Sequence, residues 1–309
     1  MAEIVVPDSV PNVQDGVGLL PDSGGTIFIR AGIHRVTEAI HVNRSNVTIT
    51  GEQGTIIKLG DHVNQPVFLI GTDAPLPVDM ARYIQNIRIA GLEIDGNRAA
   101  QDWEADSTRP GTNIMNNGID IRKADNLQIS DVNIHSARSG GLVASIDSRR
   151  IFISNACIYD NEFDGIALYS SEDVLVSDFI CYENDFSGIS FDNSVKNLAF
   201  DNGLLKNNGH NGIFARMCED IVFNDLLVCG NQKNGCFLAD HNGESGTGVK
   251  RLFFESCSFL ESGEYGLCLI SSGFESPNNT VIGCLFSGNT LGAILDGPGL
   301  LYKEGNIFQ

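Results

Sequence analysis

The chain has 309 residues, 42% of them hydrophobic and only 19% charged, so it is long enough to bury a large core and too apolar to be disordered. Its 39 acids against 20 bases give a net charge of -19, which argues against nucleic acid and against an anionic membrane surface, because Lys and Arg hold both. No apolar run reaches the roughly 18 residues that a membrane-spanning helix needs.

Met1 to Asp8 carries acids where a secretory leader carries bases followed by a long apolar stretch. Either the protein stays inside, or a leader was removed, or export uses another route. Residues 1–24 are irregular and read as a cap segment, with Pro7 to Leu20 as a short helix or loop over the open end of a repeat. Residues 25–309 read as one solenoid domain. Its strands are expected to start at Thr26-Ile-Phe-Ile29, followed by Asn46-Val-Thr-Ile-Thr-Gly51 and Thr55-Ile-Ile-Lys-Leu59. Gly91-Leu-Glu-Ile-Asp-Gly-Asn-Arg98 then leads into a long polar excursion, Ala99 to Asn116, which holds the sole tryptophan, Trp103, with Asp102, Glu104, Asp106 and Arg109. An excursion this long in a tight repeat is commonly functional, and Trp103 either stacks on a sugar ring or packs the loop down.

From here a repeat dominates. Segments beginning at Asn126, Arg150, Asp173, Asn197 and Asp220 have the same apolar pattern, with starts 24, 23, 24 and 23 residues apart. Each runs through an Asn, Asp and Gly-rich stretch to a glycine followed by alternating apolar residues, as in Gly165-Ile-Ala-Leu and Gly212-Ile-Phe-Ala. Two more units begin near Arg251 and Asn279. Short strands of period two, separated by turn residues and repeated at this interval, describe the coils of a parallel β-solenoid. The eight cysteines form no CxxC pair and lie among Leu, Ile and Phe, so they read as buried free thiols. The insertion His241 to Gly248 lacks the Lys-Ser/Thr ending of a phosphate loop and reads as a flexible rim. His210, in Asn208-Gly-His-Asn-Gly212, reads as a solvent-facing turn residue.

The entry strands and the repeat resemble the pectate-lyase-like superfamily of right-handed parallel β-helices, an all-β fold that usually serves polysaccharides. Within it, the stretch Gly91 to Arg98, its polar loop and the strand Asp125 to Ile134 resemble the catalytic module of the mannuronan C5-epimerases. That resemblance implies an alginate-like substrate. The family's Asp-Pro-His-Glu motif is absent: the matching strand reads Ser139-Gly-Gly-Leu-Val-Ala-Ser-Ile-Asp147. Its Arg-His pair is absent too, where this chain has Phe186-Ser-Gly-Ile-Ser190.

Strand alternation places every second residue after the corner glycine on the outer face. The outward pairs are expected to be Asp120 and Arg122, Val143 and Ser145, Ala167 and Tyr169, Ser190 and Asp192, Phe214 and Arg216, Phe237 and Ala239, Cys268 and Ile270, and Ile294 and Asp296. Arg122, Tyr169, Asp192 and Arg216 then form a column over about four coil steps, roughly 19 Å, a length suited to several sugars. Residues 98–150 hold seven bases and seven acids, whereas 151–309 hold seven bases and 21 acids, so the one near-neutral region is expected to receive a carboxylated ligand.

The chemistry expected of such a column is removal of a uronate C5 proton. This needs the adjacent carboxylate neutralised by Arg or a divalent cation, together with a base and an acid. Arg122 or Arg216 is expected to pair with the carboxylate, Tyr169 to be the acid or base, and Asp192 and Asp120 to hold Ca²⁺. Asp120, Trp103, Arg98, His135, Arg138 and Ser145 are expected to line the substrate path. β-Elimination makes the enzyme a lyase, and reprotonation from the other face makes it an epimerase. One competing reading is a non-catalytic β-helix, either a polysaccharide-binding module or a spike-like structural module. For that version, the apolar outer residues from Phe214 to Ile294 are expected to support self-association. The other is glycoside hydrolysis by Asp120 and Asp192, which is weakened by their expected separation of roughly 14 Å.

Overall fold

The computed structural model describes residues 2–74, 82–103, 107–240, 248–270, 278–297, 299 and 301–309. It is almost entirely β-structure, a parallel β-solenoid. Its coils fall into two compact units, residues 1–163 and 164–309. Of the expected rim, residues 241–247 lie outside the described residues, as do Glu104 and Asp106.

In both units a regular coil is a twelve-residue strand, a corner and a four-residue strand, and each strand pairs in parallel with its equivalent in the next coil. In the first unit Ala124–His135 pairs with Ile84–Asp95 on one side and Ser148–Tyr159 on the other. The short strands Phe68–Gly71, Ile119–Arg122 and Leu142–Ser145 form a second sheet. In the second unit the long strands are Ser171–Tyr182, Val195–Lys206 and Cys218–Cys229. The short strands there are Ile166–Tyr169, Ile189–Asp192, Ile213–Arg216 and Cys236–Ala239.

The long strands stay unbroken in pairing while bending sharply, because two positions in each take left-handed backbone. These are mostly Asn or Asp, the residues that tolerate it best: Asn126 and Asp131, Asp173 and Asp178, Asn197 and Asn202, Asp220 and Asp225. Their side chains then bond from coil to coil, Asn155 Nδ2 donating to Asp131 Oδ1 at 2.7 Å and Asn202 Nδ2 to Asp178 Oδ1 at 2.7 Å. At the corner before the short strand, buried asparagines form an inner ladder. Asn208 accepts from the Asn184 backbone N–H and donates to Asn231 Oδ1 at 2.9 Å. The core between the sheets is aliphatic, with an aromatic stack in the second unit: Phe200, Phe223 and Phe254 follow one another at 5.5 and 4.6 Å between ring centres.

The N-terminal segment adds a strand not expected there. Ala2–Val6 pairs with Gly25–Ile29, and a helix at Val13–Leu19 buries Val13 and Val17. All eight cysteines are free thiols, six of them buried. In the last coils the outer register departs from expectation by one residue. Tyr265 pairs with Gly292, so Cys268 stands beside Leu295 and Asp296 beside Leu269; the coil returns one residue earlier than the glycine alignment implied, which takes Ile294 out of the predicted column.

Candidate functional site

Three members of the predicted column meet in the second unit. Tyr169, Asp192 and Arg216 end successive short strands, with Tyr169 beside Asp192 in register. Asp192 Oδ2 accepts from Arg216 Nε at 3.0 Å and also from Arg216 Nη2, while Asp192 Oδ1 accepts from the Asn193 backbone at 2.8 Å. The guanidinium therefore lies fixed beside the phenol, and its pKa is raised chiefly by the hydrogen bonds to Asp192.

Sequence reading missed the fourth member. Asp164 occupies the corner position where other coils carry Asn117, Ser187, Asn211 and Asn234, and that substitution is the signal that would have found it. It is 6% exposed. Its Oδ1 accepts from the Ser187 backbone at 2.8 Å and its Oδ2 from Ser190 Oγ at 2.7 Å. Burial is the main cause that pushes its pKa up to about 6, and the bonds from Ser190 and Ser187 oppose it. Ser190 also makes hydrogen-bond contact with Tyr169. The Tyr169 phenol is pushed up to about 12, mainly by burial and next by the Asp164 charge, with Ser190 and Arg216 pulling the other way. A chain Tyr169, Ser190, Asp164 results, with a protonated phenol at its outer end. Phe214 and Phe237 stack at 6.0 Å on the same outer face, and the Arg216 guanidinium lies over the Phe214 ring at 5.7 Å.

Asp120 and Arg122 belong to the first unit and do not line an open groove. They occupy the outward positions of their strand but are 1% and 0% exposed. Ile114 closes over the sheet in a cluster with Ala39 and Leu69, and Arg122 Nε donates to the Thr72 carbonyl at 2.9 Å. Burial pushes Asp120 up to about 7, opposed first by Arg122. Alternation gave the face correctly, but it carried no information on what covers that face.

The other predicted residues serve the walls of the first unit. Arg98 pairs with Asp160 at 2.9 Å. Asn97, in left-handed backbone, donates to the Leu59 carbonyl and Asp61, so Asp95-Gly-Asn97 works as a turn. His135 stacks on Tyr159 at 4.9 Å and meets Glu93 at 3.3 Å. Arg138 donates to Glu162 and to the Trp103 carbonyl, and the Trp103 N–H donates to Asn64, so the backbone at Trp103 is tied down. Ser145 is half-buried beside Arg122. Arg109 lies 3.7 Å from Asp73, and Arg149 and Arg150 both reach Asp125. The bases of residues 98–150 are thus largely engaged in internal pairs, so their number does not make an open cationic patch. His210 also differs from expectation, being half-buried and stacked on Phe186 at 5.5 Å.

Among the described residues no three His, Cys, Asp or Glu side chains converge as a metal site. Asp192 already has a partner on each carboxylate oxygen, and Asp120 lies in the other unit.

Solved structures with the same fold include the A-module of mannuronan C-5 epimerase AlgE6 from Azotobacter vinelandii, at 15% identity and a TM-score of 0.68, covering 96% of this chain and 93% of that one. An exopolygalacturonase from Thermotoga maritima is similar at 11% identity and 0.69, covering 99% and 91%. The tailspike gp49 of Acinetobacter baumannii bacteriophage Fri1, a capsular polysaccharide depolymerase, is similar at 13% and 0.59, with 100% of this chain spanning 57% of that one. No curated protein matches the sequence. The family model described as the right handed beta helix region matches residues 83–246, more than half of the chain, and the chain belongs to that family.

Proposed function

We propose that the chain is a polysaccharide-active enzyme whose working face is the outer side of the short-strand sheet in the 164–309 unit, with Tyr169 as its proton-transfer residue. The observation that carries this reading is the constellation itself: a protonated phenol, backed by Ser190 and Asp164, beside a guanidinium held by Asp192. The stacked Phe214 and Phe237 add an apolar platform for sugar rings. The fold likeness supports the substrate class, since an epimerase, a polygalacturonase and a polysaccharide depolymerase share the architecture.

The preferred substrate is a uronate-containing glycan. Arg216 keeps its charge and its planar donors beside the phenol, so a uronate carboxylate docked there is neutralised and the adjacent C5–H is acidified. Tyr169 takes the acid's part. Delivery of its proton to the departing glycosidic oxygen completes an elimination, and delivery to C5 from the opposite face completes an epimerisation. Hydrolysis needs two carboxylates placed on either side of the sugar bond; here Asp164 is buried with both oxygens engaged, and so are both oxygens of Asp192. The reading uses no cation, and calcium is an arm of its test.

The test is incubation with alginate, pectate and neutral polysaccharides, with and without Ca²⁺, following double-bond absorbance, reducing ends and the proton NMR of the sugar. A uronan should give unsaturated ends or inverted residues. New reducing ends without unsaturation would point to hydrolysis, and no change in any signal would leave only a binding or structural role.

A further inference from the structure

The 1–163 unit contains a cavity of about 330 Å³ that the proposed reaction does not use. Its wall includes His41, Gly71, Thr72, Asp73, Arg82 and Lys123, so three basic side chains meet one acidic one in a protein whose overall balance is 20 bases to 39 acids. Asp73 itself lies 3.7 Å from Arg109.

Arg122 lies directly behind this wall. It pairs in register with Gly71, whose left-handed φ of 105° and missing side chain let the Arg122 carbonyl approach closely; a Cβ on Gly71 would stand 1.8 Å from that oxygen. Arg122 Nε donates to Thr72, a cavity residue. Both Nη atoms are buried and have no hydrogen-bond partner among the described residues, and the same holds for the Asn116 side-chain amide. A guanidinium sealed from water with two donors unmade is an expensive arrangement, and an anion that accepts from both relieves it. The volume lies at the small end of ligand pockets, which run from about 300 to 1,000 Å³, and so fits one sugar-sized molecule. A monoanion suits the wall better than a dianion, because Asp73 repels the second charge.

We propose that this cavity binds a carboxylate-bearing small molecule about the size of one sugar ring, with Arg122, Lys123 and Arg82 receiving the carboxylate. The site is carried by residues of the 1–163 unit alone and stands independently of the chemistry assigned to Tyr169.

Calorimetric titration of the full chain at low salt with glucuronate, glucose and inorganic phosphate tests the proposal. Glucuronate should bind saturably, and both glucose and phosphate about tenfold or more weakly, a difference of roughly 1.4 kcal/mol. Arg122→Lys keeps the charge but loses the fork and should weaken glucuronate about tenfold or more. Arg82→Ala, at an exposed position, is the variant that spares the core, and it should weaken glucuronate several-fold with unchanged thermal unfolding. Absence of glucuronate binding, equal binding of glucose or phosphate, or unchanged affinity in Arg82→Ala would each overturn the assignment. No product is read in this titration, so its failure is separate from failure of the Tyr169 reaction.

Discussion

At the residue scale, Asp164 connects stability to chemistry. Its folded pKa of about 6 stands above the ordinary 3.8, so its contribution to stability is full below about 3.8 and is lost as pH rises through 6. At pH 8 the buried charge costs roughly 3 kcal/mol, at about 1.4 kcal/mol per pKa unit. Asp164→Asn restores the corner residue of Asn211 and Asn234, and is expected to be more stable than the parent at pH 8 by about 2 to 3 kcal/mol, with no gain below pH 4; urea unfolding at the two pH values checks this. The same substitution should lower activity. Ser190 has one hydrogen, and it goes to Asp164, so its oxygen is an acceptor for the phenol while Asp164 is ionised. Turnover of the parent is therefore expected to rise with pH through about 6, and that limb should be missing in Asp164→Asn. A parent profile flat across this range would detach Asp164 from the reaction.

At the element scale, the inner asparagine ladder sets the corners that carry the site. Asn208 is fully buried, accepts from Asn184 and donates to the Cys181 carbonyl and to Asn231. Asn208→Ala leaves those groups unpaired and should cost about 2 to 4 kcal/mol, measurable as a lower urea midpoint; a loss under about 0.5 kcal/mol would mean that water replaces the amide. Much of this scale was legible in the sequence. The interval of 23 or 24 residues placed the strands, and the corner glycines put Tyr169, Asp192 and Arg216 on one outer face. Three things were not legible, each for a physical reason. Alternation gives the side of a sheet but says nothing of what packs on it, so the burial of Asp120 and Arg122 under Ile114 and Thr72 did not show. An Asp at a turn looks like any turn former, so Asp164 passed as a corner residue. Coil length is set by corner geometry as well as by glycines, which shifted the last outer register to Leu295.

At the scale of the whole molecule, the net charge of -19 works against the proposed substrate at long range while Arg216 attracts it at contact. Screening shortens the repulsion, since the Debye length falls from about 30 Å at 0.01 M salt to about 8 Å at 0.15 M. For a uronan, kcat/KM is accordingly expected to rise about two- to fivefold over that range, through association. A neutral polymer should show no such rise. A fall in kcat/KM with added salt would place an open cationic surface in the substrate path, contrary to the internal pairing of Arg98, Arg138, Arg149 and Arg150.

The most direct test of the account is the rate of product formation by Tyr169→Phe beside the parent chain, on whichever uronan the parent transforms, read by proton NMR. The substitution removes one hydroxyl from a half-buried side chain, so thermal unfolding should move by no more than a few degrees. The account predicts a rate lower by at least about a hundredfold, in line with the loss of a general acid. A Tyr169→Phe protein that folds normally and turns over at the parent's rate would contradict it.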